Sequence, residues 1–433
     1  MENILAQAKR VAEEAEVFMV SSEETPVLFE ANRLKHIQSK QSTSLALRIV
    51  KQGRIGYAAT TELDDSQSLV DNAVETARFG MPARFELPSP VTYPQINVFD
   101  PATESISIEK MINLGEELIA LVTNHTPEII CHAMVTKGTV SIRMINSRGG
   151  QANYRKSVFS LGILGSLIRG TDMLFVGESQ SSCHPLTHPK EIAQVVLKQL
   201  ELAKNRASVP TGHLPVIFTP WGVANALIPS LMIGFNGKTV LEGASPIGNR
   251  LGQPVFDPKL WLWDDPTVAY CPNSRPCDDE GVPSQRTPLI EQGTVANFLY
   301  DLQTAALAGT RSTGNGSRNG GLPAPSPTAL IIAPGKTTFD EMVSDIKEGL
   351  VIEQLIGAEQ GNILGGDFSG NVLLGYKVEN GKIVGRVKDT MVSGNVYQVL
   401  KEIIAIGSET KWVGGFVLTP PIYCPRLSVA SKG

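Results

Sequence analysis

Apolar residues Ile4, Leu5, Ala8, Val11, Ala12 and Ala15 recur on one helical face, which predicts a helix over residues 1–18. The period then changes. Residues 25–41 and 42–50 read as strands, with Leu45, Leu47 and Ile49 alternating with Ala46 and Arg48. A glycine turn leads into 55–60 as a hairpin. Residues 64–80 read as a helix, capped by Asp65 or Ser66 and closed by Gly80 at C′. A proline-rich connection over 81–101 precedes an amphipathic helix over 106–125. Three strands follow, 128–137, 139–147 and 151–168. The clean alternation of Val140, Ile142 and Met144 predicts an antiparallel sheet with one buried face. Residues 188–208 form the next predicted helix, with Pro189 near its first position, where a missing N–H costs nothing.

The pattern changes again near residue 210. Beyond it lie short apolar runs set among Gly and Pro, at 214–220, 293–301, 328–335, 371–385 and 388–394. Asn380-Gly381 suits a type I′ hairpin turn. Helices are expected only at 337–349 and 395–407. The glycine-rich stretch 309–327 reads as a long loop. The predicted class is α+β. An N-terminal α/β domain with a mainly antiparallel sheet covers 1–208, and a β-rich, barrel-like C-terminal domain covers 209–433.

The 433 residues are 42% hydrophobic and 19% charged, with formal net charge −5. That composition fits a globular chain with a sizeable core. No basic stripe suggests direct nucleic-acid binding. Residues 1–18 do not have the pattern of a secretory leader, and no window approaches 18 apolar residues. Five scattered cysteines, 131, 183, 271, 277 and 424, suit a reducing, cytoplasmic setting better than a disulfide framework.

Candidate chemistry is sparse. His184 and His188 have the i,i+4 spacing of zinc peptidases, but Pro185 and Pro189 argue against a helix joining them, and no Glu follows His184. Cys271 and Cys277 lack the second thiol pair of a zinc knuckle. No P-loop and no GxSxG elbow is present. The densest cluster is Asp278-Asp279-Glu280-Gly281. Successive side chains of an extended segment diverge, so the three carboxylates do not readily face one ion. They read as a charged, hydrogen-bonded turn, with Arg286 near enough in sequence to pair with one of them.

Longer stretches carry more. DDEGVPSQRTPLIEQGTVANFLYDLQTA (278–305), STGNGSRNG (312–320), LIIAPGKTTFDEMVSDIKEGLVIEQLIG (330–357) and GGDFSGNVLLGYKVENGKIVGRVKDTMVSGN (365–395) resemble the TldD/PmbA family. So do residues 54–80 and 145–150. The resemblance runs over nearly the whole chain. It implies a cytoplasmic two-domain protein of a family named for modulation of DNA gyrase and linked to proteolysis. One branch is a metallopeptidase with an HExxxH helix and a distant Cys as ligands. Here the corresponding segment, WGVANALIPSLMIGFNGKTVLEGASP (221–246), has no histidine. The ligand Cys segment reads KWVGGFVLTPP (411–421), and Cys424 comes later.

The chain therefore resembles the PmbA/TldE branch. That implies a subunit without its own metal, cofactor or catalytic residues, with zinc on a TldD-like partner. The expected assembly is a homodimer, or a heterodimer with that catalytic subunit, around a cavity for unfolded peptide. Asp278, Asp279, Glu280, Arg286, Asn315 and Asp367 are the expected cavity or peptide contacts. The alternatives are a stand-alone homodimeric binding module and a peptidase with an unrecognised site.

Overall fold

The computed structural model describes residues 1–432. Its N-terminal half is a seven-stranded antiparallel sheet. Strands β1 (Glu14–Glu30), β2 (Arg33–Ile37), β3 (Lys40–Lys51), β4 (Arg54–Thr60), β5 (Ile130–Asn146), β6 (Gln151–Arg169) and β7 (Asp172–Ser182) lie in the order β4-β3-β1-β5-β6-β7, with β2 beside β1. Residues 128–137 and 139–147 were expected as two strands. They form the single strand β5, because Gly138 stays in register against β1 rather than breaking the ladder.

The first helix, α1, is short, Glu2–Ala8. Residues 14–18 belong to β1, not to the predicted helix. This strand pairs with β3 on one side and β5 on the other, and buries Ala15, Val17 and Phe18. Two ladders and a core outweigh a helical period of a few residues. Helix α2 (Ser66–Ala77) is capped by the Asp65 side chain, which accepts from Ser68 N–H. Gly80 is not its C′ residue. A Cβ there would lie 1.8 Å from the Ile55 carbonyl oxygen, so this glycine permits a close backbone approach.

Helices α3 (Pro101–Ser105), α4 (Ile108–His125) and α5 (Pro189–Leu202) complete the N-terminal half. Met111, Leu114 and Leu118 of α4 and Ile192 and Val196 of α5 share a core with Val135, Leu161 and Ile163 of the sheet. Ile217, Val351 and Tyr376 from the C-terminal half join the same core. The helix layer therefore ties the two halves together by apolar burial, the dominant favourable contribution to folding.

The C-terminal half closes on itself. Gly212–Phe218 runs parallel to Glu348–Ile356 and antiparallel to Ile422–Ser431. The ring continues through Thr390–Asn395 and Asp367–Glu379 and returns to Glu348–Ile356. Closure removes the free edges that short strands otherwise leave. Asn380 and Gly381 both have positive φ, 50° and 76°, as a type I′ turn requires.

Two expectations fail in this half. The helix expected over 395–407 is confined to Val396–Val399. Ala405 and Ile406 instead pair with Tyr423 and Ile422, where a ladder satisfies backbone groups that a helix end would leave open. The stretch 309–327 is not simply a loop. Gly314, Asn315 and Gly316 are buried, and Gly316–Ser317 pairs with Ala324–Pro325.

Candidate functional site

The three adjacent carboxylates do not face one another. Asp278 turns back on its own chain and accepts from the backbone N–H groups of Glu280 at 3.0 Å, Val282 at 2.9 Å and Gly316 at 2.9 Å. Asp279 pairs with Arg275 at 3.4 Å and accepts from the N–H of Arg318 at 2.8 Å. Glu280 reaches into the N-terminal half, where Arg48 of β3 donates to it at 2.5 Å. Arg48 also pairs with Glu16 of β1 at 3.2 Å, and Glu16 accepts from Arg318.

The result is a buried chain of four carboxylates and three guanidiniums across the junction. Burial pushes Asp278 and Glu280 upward, while Arg275 and Arg48 respectively pull them back. The carboxylates are held by N–H donors, which is the arrangement of a brace rather than of a cation site.

Asn315 adjoins this brace and donates to Asp264 at 2.6 Å. Arg286 was expected to pair with one of the three carboxylates. It stacks instead over the Trp263 ring at 3.8 Å, a contact suited to a planar cation. Asp367 lies elsewhere, on the barrel, where it accepts from Asn395 at 2.8 Å. The structure thus gathers Asp278, Asp279, Glu280 and Asn315, and leaves Arg286 and Asp367 out of the network.

The two histidines also sit in different surroundings. His184 Nδ1 meets Asp100 at 2.5 Å and its ring lies on Tyr270, while His188 occupies the N-cap position of α5 without a side-chain cap bond. Among the described residues, no three His, Cys, Asp or Glu side chains are grouped to hold a metal ion. The donor set does not fit the family's zinc. The segment after the strand Gly212–Phe218 is helical, with a π-helical turn Val223–Leu227 and a helix Ile228–Phe235. It buries Ile228, Leu231 and Met232, none of which ligates zinc. Cys424 packs in the barrel core, where burial pushes its thiol far up.

A cleft that sequence reasoning did not find lies between the edge strand β7 and the barrel. Gln199 of α5 closes that edge at one point, accepting from Gly177 N–H at 2.9 Å and donating to Gly177 O at 3.2 Å. A cavity of about 420 Å³ lined by Phe29, Met134, Ile163, Leu164 and Leu374 shares Glu178, Gln199, Trp221 and Glu353 with a second one of about 640 Å³. Glu178 is fully buried. It accepts from Trp221 Nε1 at 3.2 Å, from Lys411 Nζ at 2.5 Å and from Ser179 N–H at 3.1 Å.

Glu353 accepts from the Thr219 hydroxyl at 3.3 Å and is pushed up to about 6, chiefly by burial. Tyr376 also borders the larger cavity. It is fully buried, and its hydroxyl has no hydrogen-bond partner. In sequence, Glu178 and Glu353 are single acids within strand-like apolar runs. No sequence pattern marked either of them.

Comparison with known proteins places this architecture. The model of the PmbA/TldA metallopeptidase C-terminal domain matches residues 211–431, and that of PmbA/TldA metallopeptidase domain 1 matches residues 15–78. The chain belongs to the PmbA/TldD family. An uncharacterised protein of Methanocaldococcus jannaschii is 28% identical over 94% of this chain and 94% of its own. The crystal structure of TldE from Thermococcus kodakarensis superposes with a TM-score of 0.91 at 21% identity, covering 100% of both chains. A Thermotoga maritima protein assigned as a modulator of a DNA gyrase superposes with a TM-score of 0.89 at 22% identity, covering 99% of each. These superpositions support the same fold for all three.

Proposed function

We propose that this chain is the non-metal subunit, or a non-metal paralogue, of a TldD-type peptidase. One observation carries the reading: the segment 221–246, which the family resemblance matches to the HExxxH helix of the catalytic branch, contains no histidine, and its helix Ile228–Phe235 buries Ile228, Leu231 and Met232 instead. Without a metal-bound water, hydrolysis lacks both its nucleophile and its carbonyl clamp. The zinc belongs to a TldD-like partner. The role of this chain is to hold unfolded peptide in the cleft beside β7, within the family's link to proteolysis and gyrase modulation.

A partner surface supports the reading. Ile130 and Met134 of β5, Leu164 and Ile168 of β6, and Met173 and Phe175 of β7 point to one face of the sheet by their registers, and each is exposed. A contiguous apolar patch of this kind marks a protein contact. We take it as the face for a second copy, or for the catalytic relative. Nucleic acid is not a partner in this reading, since the net charge is −5. Five free, buried cysteines suit the reducing cytoplasm.

The test is degradation of unfolded casein by the purified chain alone, and by the chain mixed with an HExxxH relative from the same host. The expected result is no cleavage alone and chelator-sensitive cleavage in the mixture, faster than by the relative alone. Chelator-resistant cleavage by this chain that maps to one of its own Ser or Cys residues would overturn the proposal.

A further inference from the structure

We propose that the cleft takes a cationic side chain, lysine or arginine, from the bound peptide, with the Glu353 carboxylate as its counter-ion. This deepens the peptide-holding reading above and rests on it. The two acids of the cleft differ in what they already hold. Glu178 has both oxygens occupied, by Ser179 N–H on one and by Trp221 and Lys411 on the other. Its charge is balanced by Lys411. Glu353 has only the Thr219 hydroxyl, on Oε2, and no ion pair among the described residues. One carboxylate therefore faces the cavity with no cation in ion-pair contact among the described residues, Lys198 and Lys411 lying on the same cavity wall but farther off.

Tyr376 supplies the second and independent observation. Its side chain is fully buried at the cavity that Glu353 borders, and its hydroxyl lacks any partner. Buried polar atoms are nearly always satisfied, so an orphan beside an unpaired carboxylate indicates a missing polar guest. The walls fit the rest of such a guest. Phe29, Ile163, Leu374 and Trp221 can cover an alkyl stem while the charged end meets Glu353. An acidic side chain would be repelled. An apolar one would fill the walls but leave Glu353 desolvated and unpaired, the costly half of a broken ion pair.

The experiment uses fluorescein-labelled, unstructured peptides identical except for a central Lys, Arg, norleucine or Glu, with binding to the purified chain read by polarisation. The Lys and Arg peptides are expected to bind at least about tenfold tighter than the norleucine peptide. Glu353→Gln should abolish that preference, weakening the Lys and Arg peptides while the norleucine peptide binds as well or better, since no unpaired charge is then desolvated. Glu359→Gln, at an exposed glutamate, removes the same charge from the surface and should leave the preference intact. Tyr376→Phe should reduce the preference severalfold. Unfolding midpoints of the three variants check that each is folded.

Equal binding of Lys and norleucine peptides overturns the cationic site while leaving the peptide-holding role standing. A preference lost equally in Glu359→Gln overturns it too, since overall charge then explains it. No binding of any peptide removes the peptide-holding role, and the cationic site with it.

Discussion

Arg48 and Glu280, 232 positions apart in sequence, meet at 2.5 Å with both side chains withdrawn from water. Arg48 belongs to the N-terminal sheet and Glu280 to the loop before the strand Thr287–Glu291, so the pair ties the two halves together. Removing one partner of a buried pair leaves the other charge unpaired. Arg48→Met should therefore cost about 3–5 kcal/mol in urea unfolding. The double variant Arg48→Met, Glu280→Leu should recover part of that loss, because Glu16 still has Arg318. A single-variant cost below about 1 kcal/mol would mean that the junction rests on apolar contacts and not on this network.

Much of the fold was legible because its signals are local. Period-2 alternation at Val140, Ile142 and Met144 marks β5, and Asn380-Gly381 marks a hairpin whether or not the rest of the barrel is known. The failures share a cause. Residues 14–18 are helical in period but are claimed by two neighbouring strands, and Ala405-Ile406 by the ladder with Ile422 and Tyr423. Those partners lie far away in sequence. The brace was visible as DDEG with Arg275 close by in sequence, but its other cations were not, since Arg318 lies 39 positions from Asp279 and Arg48 lies 232 from Glu280. The Glu178–Trp221–Glu353 cleft has no motif at all. It exists only because the edge of β7 is set beside the barrel.

Glu353 makes stability depend on pH. Its pKa rises from an ordinary 4.5 to about 6, mainly through burial and further through Glu178, against the pull of Thr219, Lys411 and Lys198; the Tyr376 ring also borders the site. Between those values the folded chain keeps a proton that the unfolded chain releases. This group's contribution to stability therefore falls as pH rises from 4.5 to 6, and is flat above. The full shift corresponds to about 2 kcal/mol, which partial solvent access reduces to about 1 kcal/mol. Glu353→Gln should stabilise the chain by about that amount at pH 7 and flatten the urea midpoint across the window. An unchanged slope would place the titration elsewhere.

All five cysteines are free and buried, and burial pushes Cys131 and Cys183 up to about 11 and Cys277 to about 12. The thiolate is the reactive form, so at pH 8 the native chain should react with an aromatic disulfide reagent only as fast as it opens. Five thiols should appear at once in guanidinium. Rapid reaction of one thiol in the native state would identify an exposed, activated cysteine and revive a thiol-peptidase reading.

Among the described residues no three His, Cys, Asp or Glu side chains are grouped to hold a metal ion, and His184 pairs with Asp100 rather than with His188. After mild chelation the purified chain should hold well under one zinc per chain by elemental analysis. One tightly held zinc, lost in His184→Ala and His188→Ala, would assign a metal to the loop before α5.

Leu164 tests the assembly most directly. It is 67% exposed at the middle of the apolar stripe, cross-strand from Gly177 and His132. An exposed leucine alone needs no explanation, but here Met134 and Phe175 extend the patch over three strands. If the stripe is a subunit face, the chain alone should run near twice 46.6 kDa in light scattering at micromolar concentration. A lysine at its centre would be desolvated opposite apolar groups, so Leu164→Lys should shift the chain to monomer with its unfolding free energy per protomer little changed. The paired variant Leu34→Lys, also exposed but on β2, should leave the dimer intact. A dimer unaffected by Leu164→Lys would move the interface to another surface, and a strict monomer with and without the catalytic relative would remove the shared-cavity assembly altogether.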